Sequence, residues 1–510
     1  MKHQTMQKIF VGSVIFLLVI FSFSCRKNFD VIPGNADFRV EKDTVLMDSV
    51  FTNISSRTYN VKIYNTSDND ISLKSVHLEQ GNNSFYRLNV DGEAGKSVKN
   101  VMIHAKDSIY VFIEVTADID QLSSPIYEDK IIVEDRGKTD EILLVSFIKD
   151  AYFLYPKRFP DGRKDSLTVY TDPDTGEKSK VAGYFLNNDT TFTATKPIVV
   201  YGHVAVPDGK TLTIEQDAHL YFHFNSGLIV WKNATLKVNG TLGHEVIFED
   251  DRMEEAFEHK SGMWNYIWLM SNSKNNEINY AFIKNAEVGI IAHPSNDANP
   301  MLRIKNTKLF NHSLVGIYAL ATNIEGENLV INNTGLSAIN LSLGGKYDFK
   351  HCTFVNFSNG IRNEKSAAVY VNNYLKTKDE IYVFDLERFN LSNCIVDGSN
   401  SIEFFLDKNP NADFNYRIRN SAIKFNDPRH VFADVPEVDF SDIAHYQNVM
   451  LNQNMDFWNP EENILQIGSS STAINQGDIS TAQQVPLDIL GVDRTQSPDL
   501  GAYQHAEKPD

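Results

Sequence analysis

At 510 residues the chain is too long for one ordinary domain, and a hydrophobic content of 42% supplies more than one core. Its 48 basic residues stand against 66 acidic ones, a net charge of -18, which excludes a nucleic-acid partner held through phosphate contacts. Three cysteines in such a length exclude a disulfide-built fold.

Lys2 and Lys8 precede an apolar run from Ile9 to Phe23 that ends at Ser24-Cys25. The run is too short for a spanning helix and reads as an export signal. Ser22-Phe23-Ser24-Cys25 resembles a bacterial lipoprotein signal. The resemblance implies a signal peptide over residues 1–24, lipidation at Cys25 and a tether over 25–36. It also implies membrane attachment through an N-terminal lipid anchor, since two or more acyl chains hold stably. The expected location is the outer membrane, on its periplasmic or cell-surface face. Arg26-Lys27-Asn28 lacks the acidic residues that often follow the cysteine in surface-displayed lipoproteins of the Bacteroidetes, which favours the periplasmic face.

Residues 37–150 read as strands only. Ile109-Tyr110-Val111-Phe112-Ile113-Glu114-Val115 alternates with a β-branched inner face, and Val61-Lys62-Ile63-Tyr64 does the same. About seven short strands at this spacing predict an immunoglobulin-like β-sandwich. Asp43-Thr44-Val45 and Asn89-Val90-Asp91-Gly92 resemble the N-terminal modules of Bacteroidetes cell-envelope lipoproteins. Residues 151–196 are polar and rich in turn residues, and read as a linker. Within them Asp172-Pro173-Asp174-Thr175-Gly176-Glu177 lacks the ligand set of a calcium loop and reads as a surface turn.

From 197 to 435 the chain repeats. Six segments align with an apolar column of Ile283, Leu309, Val330, Phe354, Val396 and Ile423. Two residues earlier the column is small: Ala281, Thr307, Asn328, Cys352, Cys394, Ser421. Two residues later it reads Asn285, Asn311, Asn332, Asn356. Such self-similarity marks a solenoid, and short strands sharing an interior predict a right-handed parallel β-helix. A leucine-rich repeat would need a denser leucine pattern. Asparagine suits the bends, because it tolerates left-handed backbone and its amide can bond the next coil. The first coils, Gly209–Glu215 through Val246–Phe248, resemble those of pectate-lyase-like β-helix proteins. Trp264-Asn265-Tyr266-Ile267-Trp268 is expected to pack structurally. The long gap between Phe354 and Val396 implies an excursion carrying Tyr370, Tyr374, Lys376 and Lys378, of the kind that often serves binding. Cys352 and Cys394 share a column and read as stacked, unbonded thiols.

Residues 436–510 form a capping segment. Ser471-Thr472-Ala473-Ile474-Asn475-Gln476-Gly477-Asp478, followed by Asp499-Leu500-Gly501-Ala502-Tyr503, resembles the closing motif of many bacterial β-helices. It is expected to cover the open end of the stack, where strand edges are unpaired. Asp478, Asp488 and Asp499 read as turn anchors.

The best candidate ligand surface is an outward, charged stripe: Arg303, Lys305, Asp348, Lys350, Arg417 and Arg419, with Glu277 and Asn279. It would bind an acidic glycan. No catalytic residue is assigned, and no metal site or cofactor is expected, because the chain lacks His/Cys ligand spacing, a nucleophile elbow and a phosphate loop. The fold class is therefore all-β, a sandwich followed by a β-helix. The functional expectation is an envelope-anchored, non-enzymatic surface for a glycan or an envelope protein. The alternatives are a polysaccharide lyase or glycoside hydrolase acting on an acidic glycan, and a structural subunit of an envelope assembly.

Overall fold

The computed structural model describes residues 38–509 apart from 136, 296, 359–361, 363, 364 and 379. Cys25, the signal segment and the whole of the tether lie outside the described residues. The chain divides into two compact units, Met1–Lys149 and Asp150–Asp510.

The first unit is a two-sheet sandwich of the immunoglobulin-like kind. One sheet has five strands in the order Phe38–Val40, Tyr59–Asn65, Ser108–Val115, Tyr86–Val90, Glu93–Gly95. The other has six, built around Lys138–Lys149, Ile126–Asp135, Ile71–Leu78 and Ser97–Ile103. Strict alternation makes the core: Ile109, Val111, Ile113 and Val115 point in, while Tyr110 and Phe112 point out. The strand count exceeds the seven expected because short edge strands such as Thr44–Leu46 and Val50–Phe51 carry too little pattern to read.

The second unit is a parallel β-helix whose coils each visit three sheets, here called A, B and C. One coil runs Lys308–His312 on A, 315–320 on B and 322–327 on C. The next runs Val330–Thr334 on A, 337–342 on B and 345–350 on C. Bends between sheets use left-handed backbone: Asn285, Asn311 and Asn333 leave A with φ of 65, 60 and 53°. Asn306, Asn328, Asn393 and Asn420 enter it with φ between 41 and 56°. The side chains of the first group bond in file, Asn333 Nδ2 to Asn311 Oδ1 at 2.8 Å and Asn311 Nδ2 to Asn285 Oδ1 at 3.2 Å. Asn285 Nδ2 donates in turn to Asp250 at 2.9 Å.

The interior column is Ile283, Leu309, Ile331, Phe354, Val396 and Ile423, each paired with the next. Val330 is therefore one residue off the expected column. Likewise Leu329 replaces Asn328 among the small residues, and Asn333 replaces Asn332 in the ladder. Val330 faces outward, and Asn332 donates to Pro460 O and Asn463 Oδ1 at 2.7 and 2.9 Å. Cys352 and Cys394 are free and buried, with the Cys352 N–H donating to Cys394 Sγ at 3.4 Å.

The boundaries of the solenoid also move. Three strands within 151–196, Tyr152–Leu154, Lys178–Phe185 and Thr190–Phe192, pair with solenoid strands, so that segment is a first coil rather than a linker. Its polar, turn-rich character comes from a hairpin, Ser166–Thr171 with Lys178–Phe185, which lays Leu167 over Ala205 and Ile229 and leaves its other face in water. Asp172 makes the tip, accepting from the N–H groups of Asp174 and Thr175 at 2.9 and 2.7 Å. At the other end Tyr446–Leu451 still pairs with Phe414–Ile423, so the stack continues to Leu451.

The closing motif does not cover the end of the stack. Phe440 does that, packing against Phe404, Phe425 and Tyr446. The chain after Leu451 turns back as a strap along the outer face of sheet A. Met455, Leu465, Ile467, Leu500 and Tyr503 cover Phe310, Val330, Val355, Ile395 and Ala422. The reason is area: a row of apolar side chains on a sheet flank offers about 1.5–3 kcal/mol for each one fully buried. The aspartates anchor the strap's turns. Asp478 caps the helix Ile479–Gln484, Asp488 accepts from three backbone N–H groups, and Asp499 accepts from Asn475 and His505. Arg494, wholly buried, donates to Asn328 Oδ1 at 2.9 Å and to the carbonyls of Leu487 and Gly501 at 3.1 Å. No helix among the described residues is long and apolar enough to cross a membrane.

Candidate functional site

The charged stripe expected from the sequence lies on the outer face of sheet C, in two adjacent columns. One runs Lys237, Glu277, Arg303, Glu325, Asp348, Asn390, Arg417. The other runs Asn279, Lys305, Glu327, Lys350, Ser392, Arg419. Most of the charges pair with an opposite sign along the stack, although Glu325 and Asp348 are neighbours of like sign. Lys237 meets Glu277 at 2.8 Å, Arg303 meets Glu325 at 3.1 Å, Lys305 meets Glu327 at 2.8 Å, and Arg388 meets Asp348 at 2.6 Å. Arg303, Lys305 and Asp348 are thus already partnered. Lys350, Arg417 and Arg419 hold no ion pair among the described residues.

Sheet B carries a different outer face. Its outward column runs Trp268, Ile291, Tyr318, Asn340, Tyr370, Phe405, each residue paired with the next and each half-buried. The rings recur on a backbone whose coils are about 4.8 Å apart. Tyr370 and Phe405 lie nearly parallel, with centroids 6.4 Å apart. Beside them a polar column holds Ser342, Asn372 and Asp407. The Tyr370 and Tyr374 hydroxyls both donate to Asp407 Oδ2, at 2.7 and 2.8 Å, and Asn372 Nδ2 donates to the Tyr370 oxygen at 3.2 Å. Burial is the main cause that raises both tyrosines above their ordinary value, and the bond to Asp407 adds to it. The Trp268 indole N–H is buried and has no acceptor among the described residues. By contrast Trp264 is a core residue, stacked on Phe222 at 4.3 Å and donating to Lys284 O.

Two hairpins rise on this side. The first is the one tipped by Asp172, which covers Ala205 and Ile229 and packs against Trp268. The second is the excursion, Tyr374–Lys376 with Ile381–Val383, which leaves Leu375, Ile381, Tyr382 and Phe384 exposed. The Tyr382 hydroxyl is raised above its ordinary value, chiefly by its bond to Glu380 and by that residue's charge. The columns of sheet B were missed in the sequence because each outward aromatic sits between two inward aliphatics, as in Ile317-Tyr318-Ala319 and Val369-Tyr370-Val371. The excursion with Tyr370 and Tyr374 was the one readable signal.

No family model matches the chain, and no curated protein matches it. Among solved structures, the catalytic domain of a GH87 alpha-1,3-glucanase in complex with nigerose aligns at 11% identity over 77% of this chain and 89% of that one, with a TM-score of 0.16. The catalytic unit of a GH87 alpha-1,3-glucanase from Streptomyces thermodiastaticus strain HF3-3 aligns at 10% identity over 71% and 83%, with a TM-score of 0.20. An ASH / PapD-like domain of human CEP192 aligns at 10% identity over 25% and 96%, with a TM-score of 0.16. The class of the protein, an all-β chain of a sandwich and a parallel β-helix, rests on its own strand register.

Proposed function

We propose that this is an envelope-anchored glycan-binding protein, and that the outer face of sheet B holds an extended, predominantly neutral glycan. The observation that carries the reading is the half-buried row Trp268, Tyr318, Tyr370 and Phe405, with Asn340, Ser342 and Asn372 among and beside it. Aromatic faces pack against the C–H faces of sugars, while amides and hydroxyls exchange hydrogen bonds with sugar hydroxyls. The two hairpins bound the row. Its two columns hold one carboxylate, Asp407, and that one already accepts two tyrosine hydroxyls. Hydrolysis of a glycosidic bond ordinarily uses two carboxyl groups, so the face supports binding over cleavage. On sheet C, Lys350, Arg417 and Arg419 are the residues left to meet an acidic substituent of the same glycan. Attachment to the envelope rests on lipidation of Cys25.

The test is titration of the purified chain with neutral hexasaccharides of differing linkage, alongside reducing-end and unsaturated-product assays. Binding that falls at least tenfold in Tyr318→Ala and in Tyr370→Ala, with no product released, supports the reading. Binding untouched by both substitutions would remove sheet B as the site, and turnover would move the protein to the hydrolases or lyases. Cys25→Ala is expected to release the protein from the membrane fraction, and retention there would end the anchoring reading.

A further inference from the structure

Where the strap leaves the last coils, it does not lie flush against them. Residues of the stack and of the strap's first turn enclose a cleft of about 530 Å³, within the usual size of a small-molecule site. Phe357 from the stack and Phe457 from the strap form one wall, edge to face with centroids 5.8 Å apart. Asp397 and Lys424, 3.6 Å from each other, come from the stack, and the Lys424 ammonium also donates to the Gly398 carbonyl. Asn454 and Asp456 come from the strap.

The Asp456 carboxylate is held in place. The residue has left-handed backbone with φ of 50°, its N–H donates to Asn454 Oδ1 at 3.1 Å, and its Oδ2 accepts the Ser470 N–H at 3.0 Å. Gly468 lies against it, and a Cβ there would come within 2.5 Å of Oδ2. The cleft is therefore preorganised by two segments far apart in sequence, which lowers the ordering cost of binding.

Its chemistry selects among ligands. Two carboxylates against one ammonium oppose an anionic ligand. No group of three or more His, Cys, Asp or Glu among the described residues could hold a metal ion. A purely apolar ligand would cover Asp397, Asp456, Asn454 and Lys424 while offering nothing to their remaining lone pairs and N–H groups, which opposes its binding. A neutral polyhydroxylated ring satisfies every wall: its hydroxyls donate to Asp397 and Asp456 and accept from Asn454 and Lys424, and its C–H face packs on Phe457.

We propose that the strap cleft is a second saccharide site, one that takes a short neutral oligosaccharide or a chain end. It is separate from the open face of sheet B and does not depend on it. Burial raises the Asp397 carboxyl above its ordinary value, against the opposing pull of the Gly398 N–H and the Lys424 ammonium.

The test is calorimetric titration of the full chain with maltotriose, cellotriose, laminaritriose and mannotriose, with trigalacturonate as the charged control. At least one neutral trisaccharide is expected to bind, trigalacturonate is not, and Phe457→Ala and Asp456→Asn should each weaken binding at least tenfold. Asp456→Asn keeps an acceptor for the Ser470 N–H, so it reports on the cleft even if Phe457→Ala loosens the strap. The proposal is overturned if none of the four neutral trisaccharides binds, if both cleft variants bind as the parent does, or if trigalacturonate binds more tightly than they do.

Discussion

The outer faces of sheets A and C belong to the same solenoid and have opposite characters. On A, the outward residues Phe310, Val330, Val355, Ile395 and Ala422 are apolar and the strap covers them. On C, most outward charges pair with an opposite charge on a neighbouring coil, in partial exposure to water. Covering a flank places two apolar faces on one strand, whereas an uncovered flank keeps one. The energies differ accordingly: about 1.5–3 kcal/mol for each fully buried aliphatic on A, against about 0–1 kcal/mol for each exposed pair on C. A charged stripe in a solenoid is thus first a solubility device, and pairing of opposite signs cancels most of its field.

The comparison can be broken most directly at Phe354, which lies in the interior of sheet A between Ile331 and Val396. Phe354→Ala is expected to cost about 3–5 kcal/mol, through a cavity that neighbouring coils can only partly close. Lys350→Ala, four residues earlier on the outer face of sheet C, is expected to cost less than about 0.5 kcal/mol. Equal effects of the two in chemical denaturation would show the register to be wrong. One step smaller is Ile395→Ala on the strap-covered face, with an expected cost of roughly 2–4 kcal/mol. Its signature is early proteolytic cleavage within residues 452–505, while a uniform loss of protection across the solenoid would deny the strap its separate role.

A third contrast uses pH. Burial pushes the Asp250 carboxyl, at the head of the asparagine file, up to about 6, against the bonds it accepts from Asn285 and the Arg252 N–H. A carboxyl that holds its proton more tightly in the folded state stabilises the fold fully below its ordinary value. That contribution is lost as pH rises through about 6. Asp250→Asn is therefore expected to be more stable than the parent by roughly 1–2 kcal/mol at pH 8, with the advantage gone near pH 4. Denaturation at the two pH values checks it, and an advantage that grows on acidification would contradict the assignment. The smallest expected effect is on sheet C: Arg303→Ala and Lys305→Ala should each change stability by no more than about 0.5 kcal/mol. A loss of several kcal/mol from either would mean that the stripe is structural after all.

Much of this was present in the linear chain. The repeat, the interior column and the asparagine bends are local properties, set by which residues tolerate left-handed backbone and which avoid water. The sandwich was legible for the same reason, through strict alternation in strands such as Ser108–Val115. What could not be read was any feature created by one segment covering another. Val330 and Ile331 are both apolar because the strap buries one and the interior buries the other, so periodicity alone had no means of choosing between them. Only the side-chain file, Asn333 to Asn311 and Asn328 to Asn306, decides the register there. The charged stripe was found, but its neutralisation depends on which coil stacks on which. The two candidate saccharide sites are of the same kind. One needs aromatics from four coils in a run of six to fall in line, and the other joins Phe357 and Asp397 to Asp456 and Phe457 across a turn of chain whose path the tertiary fold alone determines.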